Sequence, residues 1–152
     1  MLKLLPILFF AAVNISQISI FEIDGIFSNG HINAIQRYVD ENDLRESNLF
    51  VIQYNASDTS ENSVTELQEL LKDIKTPKAI WVGPNETIVD AGLLKSFDYV
   101  GISPGTTIIN KLSNNEFEFL DQEGIYEGYM VVGSIGAFIE NLGSENIISN
   151  LT

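Results

Sequence analysis

The chain has no cysteine and one histidine, His31, so carboxylates, hydroxyls and a few lysines are what it can bring to chemistry. Lack of a thiol removes disulfides, thiolate metal sites and a cysteine nucleophile together. One imidazole cannot build a multi-histidine metal site. His31 follows the Asn29-Gly30 turn, has no serine or cysteine context, and reads as a residue that opens a helix rather than a catalytic base. Acidic residues number 21 against 8 basic ones, a formal charge of −13. Of these, Asp40, Glu41 and Asp43 read as a solvated helix end. Asp90 with Glu86 is the pair available for general acid-base work. Asp58, Glu61 and Asp90 are oxygen donors that could hold a hard cation if their loops converge, although chance drift is the simpler reading. Asn-x-Ser/Thr triplets begin at Asn14, Asn55, Asn85 and Asn150, a pattern short enough to arise by chance.

These residues sit on a chain of 152 residues, 45% of them apolar, which is long enough for one globular domain and too short for two. The negative surface repels phosphate backbones and anionic lipid headgroups, which argues against nucleic acid as a partner. Residues 1–16 stand apart, with Lys3 near the start and an apolar run over 4–13. That is the shape of a signal peptide or an N-terminal membrane anchor, the run being shorter than the roughly 20 residues that span a bilayer. No small-x-small cleavage site is clean, because Phe10 stands two before Ala12 and Asn14 two before Ser16. A single domain then covers 17–152.

Within it, apolar runs alternate with helical periodicity. Ile18, Ile20, Phe21 and Ile23 form a first strand, ended by the turn signal Asp24-Gly25. Residues 31–45 place Ile32, Ile35, Tyr38 and Val39 on one face of a helix, and 49–54 read as a buried strand. Val64, Leu67, Leu70, Leu71 and Ile74 mark the clearest helix, with Ser63 and Glu66 at capping-box spacing and Thr76-Pro77 as its stop. A strand over 79–82, a helix over 86–97 and a strand over 98–102 closed by Ser103-Pro104-Gly105 come next. Apolar runs at 117–120 and 129–132 precede a helical pattern over 134–142. Trp81, inside an apolar strand, reads as core. The fold class is α/β, built from repeated strand-helix units around a mostly parallel sheet with right-handed crossovers.

Four segments taken in order carry a resemblance: Phe50-Val-Ile-Gln-Tyr-Asn-Ala-Ser-Asp-Thr59, Thr76-Pro-Lys-Ala-Ile-Trp-Val-Gly-Pro84, Asp90-Ala-Gly92 and Asp98-Tyr-Val-Gly-Ile-Ser-Pro-Gly-Thr106. Together they resemble the NfeD-type membrane serine proteases of the Clp-protease/crotonase-like superfamily. The likeness covers residues 18–112 well and 122–143 loosely. It implies the Clp-protease/crotonase-like fold for 17–152, in shortened form, and it places the family's catalytic parts on particular residues. The paired oxyanion-hole glycines fall on Asp58 and Thr59. A carboxylate there repels a developing oxyanion, and neither residue gives the close backbone approach that glycine does. The nucleophilic serine falls on Asp90, which is no serine substitute for peptide hydrolysis. The loop 84–87 is one residue shorter than the family pattern, and its hydroxyl, Thr87, stands three residues early. Beyond Lys95 the only lysine is Lys111, five residues past Thr106, where the family's lysine base would not stand.

The resemblance with these departures implies a catalytically inactive serine-protease-like module, exported or membrane-associated, that binds a peptide or a partner subunit. A membrane-protein partner and self-association into a homo-oligomer follow from the relatives' habits. No cofactor and no metal are called for. One alternative is an enzyme of altered chemistry on a crotonase-like fold, using Asp90 and Glu86 as acid and base. Another is a degenerate remnant without activity, against which stand the intact apolar runs at 50–54 and 79–82.

Overall fold

A computed structural model describes residues 18–41, 49–59, 61–84, 87–113, 116–119 and 129–144. The expected leader over 1–16 lies outside them, as do Asn14, Asp43, Asn85, Glu86 and Asn150. The elements in order are β1 (Ile18–Phe27), α1 (Asn29–Glu41), β2 (Leu49–Thr59), α2 (Glu61–Lys72), β3 (Lys78–Val82), β4 (Ile88–Asp90), α3 (Ala91–Leu94), β5 (Tyr99–Ile102), β6 (Thr107–Ser113), β7 (Glu116–Phe119), β8 (Tyr129–Val131) and α4 (Ile135–Ser144).

Five strands form one parallel sheet in the order β1-β2-β3-β5-β8. Burial on both faces explains the unbroken apolar runs of its central strands. Phe50, Ile52 and Tyr54 of β2, with Ile80 and Val82 of β3, face a core closed by Ile32 and Ile35 of α1, Leu67 and Leu71 of α2, and Leu93 of α3. Leu49, Val51, Ala79 and Trp81 point the other way, against Phe138 and Leu142 of α4. Trp81 is 1% exposed and its indole N–H donates to the Val132 carbonyl at 3.1 Å, the core role expected of it. Two glycines let this second layer close. A methyl on Gly101 would stand 2.5 Å from the Phe138 ring, and one on Gly83 would stand 2.7 Å from Trp81 and 2.9 Å from Ser103.

Several local expectations need correction. Residues 86–97 are not one helix: the described part holds strand β4 and a single helical turn, α3. Thr87, Val89 and Ala91 alternate as buried positions there, and Asp90 caps the turn. Ser63 does not cap α2; it lies inside the helix and is fully buried. Asp24-Gly25 does not end β1, which runs on to Phe27 with Gly25 at φ 75. There the pairing steps from Gly25↔Ala56 to Ile26↔Asp58, leaving Ser57 of β2 as an unpaired bulge residue. Strand β6 was not foreseen. It pairs parallel to β4 and antiparallel to β7, giving a second, three-stranded sheet.

Candidate functional site

In a parallel sheet with helical crossovers, clefts open at the carboxyl ends of the strands. Asp58 and Thr59 lie at that end of β2, and Asp90 ends β4 of the small sheet. The β2 bulge at Ser57 immediately precedes Asp58 and Thr59, whose backbone still pairs with Ile26 and Phe27 of β1. Among the described residues the pairing of β2 with β3 ends at Tyr54↔Val82, one residue before Asn55. The Asn55 side chain bonds in two directions: its Nδ2 donates to Asp24 Oδ1 at 3.2 Å, and its Oδ1 accepts from the Thr87 hydroxyl at 3.4 Å. Thr87 is 3% exposed, and its carbonyl accepts from Thr107 N at 2.9 Å, so the start of β4 is tied both to the rim of the large sheet and to β6.

Asp90 ends β4 and is the N-cap of α3, with extended φ and ψ of −81° and 129°. Its Oδ1 accepts from Gly92 N at 2.6 Å, a short, charge-assisted bond to a free helix-start amide. At the position where the resemblance puts a nucleophile, the side chain is therefore folded back on its own backbone. Gln68 of α2 completes the brace, donating to the Gly92 carbonyl at 3.0 Å. Across the small sheet Asp90 pairs with Ile109. Lys111 stands two residues further along β6, roughly 7 Å by strand rise. Lys95 is the C-cap of α3, at the end of that turn away from Asp90.

The turn after β5 is type II. Thr106 N donates to the Ser103 carbonyl at 3.2 Å, Pro104 takes the second position and Gly105 the third, at φ 90. The Ser103 and Thr106 hydroxyls are buried and share a hydrogen bond at 3.1 Å, which aims the chain into β6.

Other expectations sort plainly. His31 lies in the first turn of α1, its Nδ1 accepting from Ser28 N at 3.4 Å and its ring edge-on to Phe27. Glu86 is outside the described residues, so its relation to Asp90 is not defined. The same holds for the side chains of Asp58, Thr59, Glu61 and Lys111. Among the described residues no three His, Cys, Asp or Glu side chains are grouped to hold a metal ion. Among them also, no helix is long and apolar enough to cross a membrane. Two residues of the site went unrecognised in the sequence. Asn55 registered only as a glycosylation triplet, though a polar residue at the carboxyl end of a parallel strand is a signal in itself. Gln68 gave none, being one polar residue beside the apolar stripe of a helix.

No family description and no curated protein matches this sequence. Solved structures do match. The membrane protease 1510-N of Pyrococcus horikoshii, specific for a stomatin homolog, superposes with a TM-score of 0.66 at 13% identity, over 84% of this chain and 79% of that one. Methylmalonyl CoA decarboxylase, complexed with 2S-carboxypropyl CoA, superposes with a TM-score of 0.65 at 10% identity, over 91% and 74%. The chain has the Clp-protease/crotonase-like fold. A lysine-to-alanine mutant of 1510-N, described as a membrane-bound stomatin-specific protease in complex with a substrate peptide, aligns with a TM-score of 0.53 at 16% identity. That alignment covers 87% of this chain and 60% of the protease, and a serine-to-alanine mutant of the same protease is covered over 64% of its length. The fold expected from the strand-helix order and the four segments is the fold observed.

Proposed function

We propose that this chain is a protease-like module that binds an extended peptide or a partner subunit without hydrolysing it, and that it works exported from the cytoplasm or at a membrane. The carrying observation is Asp90. Where the resemblance asks for a nucleophile, a carboxylate ends β4 and spends its Oδ1 on Gly92 N at 2.6 Å. An anionic side chain there neither attacks a peptide carbonyl nor leaves that amide available. Support for peptide as the ligand comes from the shared fold of 1510-N, one structure of which holds a substrate peptide. Among the described residues β2 has no further strand partner on its β3 side beyond Tyr54, and added strand pairing is the usual means of holding an extended chain. Support for a membrane setting comes from the apolar run over 4–13 and from the membrane-bound character of that protease.

The test is to incubate the purified chain with a library of unstructured peptides, recover what binds, and weigh it by mass spectrometry. Retained peptides come back intact, and widening the Asn55 rim with Asn55→Ala weakens retention. Cleaved fragments above the peptide-only background would overturn the reading, as would the absence of any retained peptide.

A further inference from the structure

At the opposite end of the sheet, where β3 and β5 begin, lies a groove of about 340 Å³. Lys78 is the first residue of β3, and Asp98 immediately precedes β5. The two are locked together: Asp98 N donates to the Lys78 carbonyl and Lys78 N to Asp98 Oδ2, both at 2.8 Å. Lys72 from the last turn of α2 and Lys95 from the end of α3 complete the wall, and Leu71 and Phe97 lie beneath. Three of the eight basic residues thus converge on one groove, in a chain of net charge −13. Structural duties do not exhaust them. Lys78 Nζ donates to the Ile74 carbonyl at 3.0 Å and keeps two further donors. Lys72 meets Glu69 at 3.1 Å in a pair whose side chains are 69% and 67% exposed, a contact too wet to neutralise the ammonium. Lys95 is exposed.

We propose that this groove is a phosphate-binding site. Lysine ammonium groups act as point charges on a tetrahedral anion, in contrast to the flat, two-pronged fit that arginine makes with a carboxylate. The apolar floor suits a phosphate carried on a carbon skeleton. Asp98 holds the two strand starts in register and also opposes the bound charge, so its sign gives a control of opposite direction. Gln68, which braces the Gly92 carbonyl at 3.0 Å, also lines the groove, so the two places meet at that side chain, but the proposal does not depend on the function proposed at the Asp90 rim.

The test is a 15N NMR titration of the whole chain with inorganic phosphate at constant ionic strength. Saturable shifts are expected at the groove amides and not at Asp24 or Asn55, on the opposite rim of the sheet. Lys95→Gln and Lys72→Gln each weaken the midpoint about fivefold, the value of one ammonium contact in water. Asp98→Asn keeps an acceptor for Lys78 N and tightens it. Flotation with vesicles of phosphatidylglycerol and phosphatidylcholine then separates two sources of the phosphate. Flotation that rises with phosphatidylglycerol content and weakens in Lys95→Gln assigns it to a lipid headgroup, and flotation that is absent or unchanged by both, beside a saturable titration, assigns it to a soluble ligand. Shifts that rise without saturation, or variants that titrate like the parent, would overturn the proposal.

Discussion

The large parallel sheet and the outer rim of the small corner of β4, α3 and β6 are set by different physics. Strands β2 and β3 are fixed by burial on both faces, with Trp81, Tyr54, Phe50 and Ile52 essentially inaccessible to solvent. The corner sends Val89, Leu93, Leu94 and Ile108 into the main core, but its outer rim is set by single polar contacts: Asp90 to Gly92 N, Gln68 to the Gly92 carbonyl, Thr87 to Asn55. A region fixed by many small dispersion contacts tolerates drift at any one of them, whereas a rim set by a few hydrogen bonds changes its geometry when one is lost. The candidate site lies in the second kind of region, so its chemistry can change while the sheet stays intact.

That contrast is open to being broken. Trp81→Ala should cost about 3–5 kcal/mol in urea unfolding, because it empties the α4 layer and leaves the Val132 carbonyl without its indole donor. A loss under about 1 kcal/mol would mean that the α4 layer is not a packed core. Gly101→Ala comes next, at about 1–3 kcal/mol, since the added methyl meets Phe138 at 2.5 Å. Combined with Phe138→Ala it should show strong non-additivity, because the second change removes what the first collides with. Asp90→Ala should cost only about 1 kcal/mol, the worth of one N-cap. Asp90→Asn, which keeps an acceptor, should cost less, and a larger cost for either would mean that the corner supports the sheet.

The smallest effect concerns pH. Desolvation by burial raises the Tyr129 phenol above its ordinary pKa. The folded state therefore holds the phenolic proton more tightly than the unfolded chain. Its contribution is fully present below the unfolded pKa of about 10 and is lost as pH rises through the folded value. Thermal unfolding followed from neutral to strongly alkaline pH should show this decline in the parent and less of it in Tyr129→Phe.

The same contrast decides what the sequence disclosed. Leu49 to Tyr54 and Ala79 to Val82 announced themselves as strands because double burial writes a continuous apolar run, and α2 because its leucines recur at helical spacing. The corner left a weaker trace. Ile88, Val89, Leu93 and Leu94 fit a helical wheel, yet a β-branched pair ahead of a capping aspartate made a strand and one turn instead. Strand β6 escaped because Thr107 to Ser113 mixes polar and apolar residues without a run, its order coming from pairing to β4 and β7. Asp90 was legible through the Ala91-Gly92 that follows it, but its bond to Gly92 N was not, since capping geometry appears only once the turn exists. Asp24-Gly25 misled for a related reason, because glycine at positive φ serves a bulged pairing as readily as a turn.

The most direct measurement exposes the purified chain to a fluorophosphonate probe and to fluorogenic peptides, beside an active serine protease as a positive control. If Asp90 stands where the resemblance puts the nucleophile, as proposed, the chain gives no covalent label and no hydrolysis above the buffer rate. Stoichiometric labelling with peptide cleavage, both abolished by Thr87→Ala or by replacing a nearby serine, would contradict it.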